Sequence, residues 1–130
     1  MSTDNFKIFT TIPATMEQVF KAWLSSDGHT LMTGGKAEVN PIVGGKFKAW
    51  DGYIWGETLE LEPSHRIVQT WRTSEFSEES PDSQIEILLE EAGSGTKITL
   101  SHTQIPKGQA DSYKQGWEDH YFTPMREYFK

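Results

Sequence analysis

The segment that closes the chain constrains its fold more than any other. Tyr113, Trp117, Tyr121, Pro124, Met125 and Tyr128 recur at steps of three and four. Residues at that spacing share a helix face, so the segment is expected to be a helix with one bulky apolar stripe. Such a stripe has to be buried against another layer. Pro124 lacks a backbone donor and should kink the helix near His120. Gly116 lies beside the stripe, where its missing side chain is expected to serve close contact with the facing layer rather than space for a ligand.

The facing layer is expected to be a sheet. Phe6 to Ile12 is rich in β-branched and aromatic residues and predicts a first strand, ended by Pro13. Thr15-Met16-Glu17-Gln18 has the form of a capping box, which opens a helix from about Thr15 to Leu24. Ser25 to Gly28 stops it. His29 to Met32 predicts a short second helix, ended by Gly34-Gly35. Strands and tight turns then follow as far as His102. Lys46 to Trp50 and Tyr53 to Glu62 flank Asp51-Gly52, which marks a type I′ hairpin turn. Arg66 to Arg72 forms the next strand, in which Trp71 shares a face with Ile67 and Gln69. Ile85, Ile87 and Leu89 alternate with more polar neighbours, and Thr96 to His102 is the last strand. Consecutive strands with short connections imply an antiparallel meander. The expected fold is α+β: a curved six- or seven-stranded antiparallel sheet around a long C-terminal helix, with two short N-terminal helices, in a single domain over residues 1–130.

Bulk properties exclude several functions. With 130 residues the chain can bury roughly two-thirds of its unfolded surface and needs no disulfide or metal staple. It has no cysteine, so disulfides, thiolate metal sites and cysteine nucleophiles are absent. A net charge of -7, with no basic cluster, argues against nucleic acid as a partner. No apolar run is long enough to span a bilayer, and the first residues have no signal-peptide pattern. A cytoplasmic monomer is expected.

Each candidate site has a plain alternative. His29, His65, His102 and His120 have no metal-ligand spacing, so neither a metal nor a cofactor is expected. His102 has the strand parity of Ile98 and Leu100 and should face inward, held by a core hydrogen bond. Glu118-Asp119-His120 suggests acid–base chemistry, but adjacent helical residues diverge and form a solvated face. Arg72 is expected to pair with the acidic Phe76–Asp82 loop. No serine elbow or phosphate loop is present, and no enzyme is expected.

Several features in series resemble one family. They are Gly44-Gly45-Lys46-Phe47, Asp51-Gly52, Gly56-Glu57, Leu61-Glu62-Pro63, Ile67-Val68 and Trp71-Arg72, then Ile105-Pro106, Gly116-Trp117 and Tyr121-Phe122. Their order resembles the C-terminal domain of activators of the heat-shock protein 90 ATPase, over about Phe6 to Phe129. That family lies in the START-like, or SRPBCC, superfamily. The resemblance implies a helix-grip fold with a hydrophobic cavity between sheet and helix, suited to a lipid, sterol or aromatic compound. Phe47, Trp71, Ile87, Ile98, Leu100, His102, Trp117 and Tyr121 are the expected ligand-binding residues. It also implies a second role, a protein-interaction domain that stimulates a chaperone ATPase. The activators carry an additional N-terminal domain, which this chain, with five residues before Phe6, is expected to lack.

Overall fold

The layer that meets the C-terminal stripe is built from seven strands. The structure is a computed structural model and describes residues 3–130. The strands are β1 (Thr3–Ile12), β2 (Glu38–Val39), β3 (Lys46–Ala49), β4 (Ile54–Glu62), β5 (Arg66–Thr73), β6 (Ser83–Ala92) and β7 (Gly95–Pro106). They form one antiparallel sheet in the order β1-β7-β6-β5-β4-β3-β2. All sequential neighbours from β2 to β7 pair directly, and only β1 crosses to the far edge beside β7.

Two short helices, α1 (Met16–Leu24) and α2 (Ser26–Thr33), follow β1. The Thr15 capping box forms: the Gln18 N–H donates to Thr15 Oγ1 at 3.1 Å, and the Thr15 N–H donates to Gln18 Oε1 at 2.8 Å. The second helix begins three residues earlier than its expected start at His29. Ser25 ends α1 and also caps α2, accepting from the Gly28 N–H at 3.0 Å. A stop signal for one helix is thus the start signal of the next.

The closing helix runs continuously over 110–128 in three parts: α3 (Ala110–Trp117), a π-helical turn (Glu118–Phe122) and α4 (Thr123–Tyr128). Pro124 stands in the first turn of α4. It cannot donate back to the His120 carbonyl, and the ladder relaxes there by one extra residue, so that the Thr123 N–H reaches the Glu118 carbonyl. The expected kink is realised as this wide turn. Arg126 fastens it, donating to Glu118 at 2.6 Å and to Thr10 of β1 at 2.7 Å.

Several strand limits differ from expectation. β1 starts at Thr3 and β7 continues to Pro106, because Gln104 takes a φ of 60° and bulges the strand so that Ile105 still packs inward. β3 ends at Ala49. Trp50, Asp51 and Gly52 all have positive φ, at 53°, 58° and 89°. Asp51 and Gly52 make the hairpin turn, closed by the Tyr53 N–H on the Trp50 carbonyl at 3.1 Å. The left-handed Trp50 leaves the sheet, and its ring lies against Gly35, where a Cβ would come within 2.3 Å of the indole.

Candidate functional site

The sheet–helix interface is filled with rings tied together by hydrogen bonds. Trp117 stacks at an angle on Tyr121 at 4.6 Å and faces Trp71 at 5.8 Å, while Trp71 meets Tyr113 edge-on at 4.9 Å. The Trp117 Nε1–H donates to His102 Nδ1 at 3.1 Å. An acceptor at Nδ1 requires the proton on Nε2, which donates to Ser83 Oγ at 2.9 Å. Ser83 in turn donates to the Trp71 carbonyl at 2.5 Å. Every proton in this relay has one place to go. Burial pushes the His102 pKa down to about 3, so the ring is neutral at ordinary pH. Ser83 and His102 are therefore not a nucleophile and its base: the nitrogen facing the serine already carries a proton, and both residues are closed to solvent.

A second relay lies at the other end of the stripe. Tyr121 donates to His29 Nε2 at 3.1 Å, and His29 Nδ1–H donates to the Trp23 carbonyl at 2.9 Å. The Trp23 Nε1–H reaches Gln69 Oε1 at 3.1 Å, and Gln69 donates to Thr58 at 3.1 Å. Burial lowers the His29 pKa and raises that of Tyr121. These bonds join both short helices, the closing helix and strands β4 and β5.

The interface is not packed solid. A cavity of about 290 Å³ opens between the β3–β4 turn, the end of β5 and the closing helix. Its buried wall is Ile54, Trp71, Tyr113, Trp117 and Tyr121. Its mouth is formed by Trp50, Tyr53, Ser112, Gly116 and His120, all partly or fully exposed. The expectation for Gly116 is corrected here. A Cβ at this position meets only His120 Cδ2, at 3.9 Å, so the missing side chain leaves space instead of serving close contact with the sheet.

Most hydroxyls on the wall are committed within the protein. Tyr113 donates to Gln109 at 2.6 Å and accepts from Thr73 at 2.8 Å. Tyr53 donates to Glu75, and burial together with that carboxylate pushes its pKa up to about 12. Trp50 is different. Its Nε1 is buried with no hydrogen-bond partner among the described residues. It lies near enough to the Tyr121 hydroxyl to offset part of the upward pKa shift there, but not in hydrogen-bonding geometry.

Of the eight residues expected to bind a ligand, the structure brings Trp71, Trp117 and Tyr121 together on the cavity wall. It places Phe47, Ile87, Ile98, Leu100 and His102 in the packed core away from the cavity lining. Glu118, Asp119 and His120 diverge: Glu118 pairs with Arg126, Asp119 with Gln115 at 3.0 Å, and His120 turns to the cavity mouth, 5.4 Å from the Trp50 ring. Arg72 pairs with Asp82 at 2.7 Å. Sequence reasoning missed Trp50, Tyr53, Ile54, Ser112, Tyr113 and His120 as lining residues. One signal was present: Ser112, Gly116 and His120 recur every four residues along the side of the aromatic stripe. Among the described residues no group of three or more histidines and carboxylates is placed to hold a metal ion. No helix among them is long and apolar enough to cross a membrane.

An open antiparallel sheet of seven strands gripping a long C-terminal helix, with an aromatic cavity at their interface, defines a helix-grip domain of the START-like class. Within that class, the chain belongs to the family described as activator of Hsp90 ATPase homolog 1-like protein, whose family model matches residues 13–130. The human activator of 90 kDa heat shock protein ATPase homolog 1 is 26% identical over 113 residues, which is 87% of this chain and 33% of the human protein. The chain thus spans about a third of the length of that relative. The crystal structure of an Hsp90 activator from Plasmodium falciparum superposes with a TM-score of 0.83 at 28% identity, covering 94% of this chain and 92% of that one. CalU16 from Micromonospora echinospora shares the fold with a TM-score of 0.80 at 24% identity, covering 97% of this chain and 76% of that one.

Proposed function

We propose that this protein is a non-enzymatic binding module that takes an apolar or amphipathic small molecule into the sheet–helix cavity. The observation that carries this reading is the cavity of about 290 Å³ walled by aromatic rings. Ligand sites are concave, mostly apolar and fitted with a few polar groups. The non-enzymatic part rests on the histidines. His29 and His102 are locked as neutral members of closed relays, and His120 stands at the mouth with its carboxylate neighbours directed elsewhere.

The test is an NMR titration with fatty acids, sterols and flavonoids. Binding should move the indole resonances of Trp50 and Trp117, and Gly116→Leu, which fills the cavity, should suppress the shifts. A broad panel that moves no resonance of Trp117, Tyr121 or the inward strand residues would overturn the reading.

A second reading is that the domain stimulates an ATPase of the heat-shock protein 90 type. It is favoured by the likeness to the Plasmodium activator over almost the whole of both chains. The acidic surface would meet a basic patch on such a partner. Chaperone ATPase rates with and without the protein decide it: no stimulation and no binding at saturation would eliminate this role.

A further inference from the structure

On the reading that the cavity binds a small molecule, we propose that its ligand is a one- or two-ring aromatic bearing a hydroxyl group, which Trp50 and His120 hold at the mouth. The cavity, about 290 Å³, lies at the lower edge of the usual range for ligand sites, roughly 300–1,000 Å³. That space suits a small ring system better than a whole sterol or acyl lipid. The wall offers faces and edges of Trp71, Tyr113, Trp117 and Tyr121, already in edge-on or tilted contact with one another. A flat aromatic guest extends the same pattern.

The polar groups at the mouth choose the substituent. The Trp50 indole is a donor only, and its Nε1–H is buried without a partner. An unpaired buried donor is unfavourable, and a guest oxygen reached by a small swing of the half-buried ring relieves it. The His120 imidazole, 5.4 Å away between ring centres, has no hydrogen-bond partner among the described residues and in its neutral form can accept. A hydroxyl both accepts and donates through one oxygen, so it serves the two groups together. A carboxylate could accept from Trp50 and from the remaining N–H of His120, but it would meet the charge of Glu75, which Tyr53 holds beside the mouth. An ammonium only donates and leaves Trp50 unpaired.

The experiment compares 1-naphthol, naphthalene, 1-naphthoate and palmitate by NMR titration of the full chain. We expect 1-naphthol to bind roughly three- to tenfold more tightly than naphthalene, the net effect of one hydrogen-bonded group. We expect 1-naphthoate to bind more weakly than 1-naphthol. His120→Leu and Trp50→Phe should each remove most of the advantage of 1-naphthol over naphthalene measured in the same variant, with a dispersed amide spectrum showing that each variant folds. Equal affinity of the wild type for 1-naphthol and naphthalene overturns the proposal, as does an advantage that survives both substitutions. If palmitate moves cavity resonances and no naphthyl compound does, this assignment fails while the binding reading stands. If no probe moves one, both fail.

Discussion

Trp117 Nε1 stands 3.1 Å from His102 Nδ1 and donates to it, across the interface between the closing helix and β7. Trp117→Phe keeps a ring but leaves a buried acceptor unpaired, at an expected cost of about 1–3 kcal/mol. Trp117→Ala also opens a cavity and should cost about 3–5 kcal/mol. Urea unfolding midpoints measure both. A Phe variant within about 0.5 kcal/mol of wild type would show that the bond contributes nothing.

Acid should weaken this fold before the carboxylates titrate. The folded-state pKa of His102 is about 3, below its unfolded value of about 6.5, because burial disfavours the charged ring. Between those values the unfolded chain binds the extra proton, so the contribution is complete above about pH 6.5 and is lost as pH falls towards 3. The slope is about 1.4 kcal/mol per pH unit for this one group. His29 is shifted in the same direction by burial and adds to it. Stability measured at pH 7, 6 and 5 should fall steadily, and His102→Gln should flatten the fall. A flat wild-type profile over that range contradicts the assignment of a neutral buried ring.

Two glycines should respond in opposite ways to alanine. At Gly116 a Cβ finds open space, and alanine is the better helix former, so Gly116→Ala should stabilise by about 0.5–1 kcal/mol. At Gly35 a Cβ would come within 2.3 Å of the Trp50 ring, and Gly35→Ala should destabilise by about 1–3 kcal/mol. Thermal melts of the pair are sufficient, and a loss of stability at Gly116 would mean the helix lies closer to the sheet than described.

Pro124→Ala returns a donor to the closing helix. The expected result is a tighter turn over Glu118–Phe122, seen as amide shift changes at His120 and Gly116, with a stability change below about 1 kcal/mol. Unchanged shifts over that segment would show that the Glu118–Arg126 pair sets the wide turn without help from the proline. That pair is partly exposed on both sides, so Arg126→Gln alone should cost only about 0.5–1 kcal/mol.

The architecture was legible because it rests on periodicity. The step of three and four from Tyr113 to Met125 and the alternation of Ile85, Ile87 and Leu89 are local signals that the tertiary structure obeys, whereas Tyr128, the last residue of the expected stripe, is exposed. Thr15 and Asp51-Gly52 were legible for a similar reason, since capping and turn chemistry act within four residues. The cavity was not. Its mouth joins Trp50 and Tyr53 to Ser112 and His120, residues some sixty positions apart whose approach depends on how the closing helix docks. The residue pattern makes Trp50 the end of a strand, and its left-handed backbone turns it towards His120. The partner of His102 was equally hidden. Parity sends the ring inward but does not say that an indole waits there.

The relay from Trp117 through His102 and Ser83 to the Trp71 carbonyl has a further consequence, which concerns uniqueness more than strength. A stripe of large rings is an indiscriminate adhesive. Slid along the sheet by one helical turn, about 5.4 Å, it would still find apolar surface to cover. The relay admits no such displacement, because one indole nitrogen must meet one imidazole nitrogen. It acts as a detent that selects a single docking position from several of similar apolar burial. Replacing His102 with leucine would then leave a protein that is still compact but no longer single-valued, with its disorder appearing as doubled or broadened resonances along the closing helix.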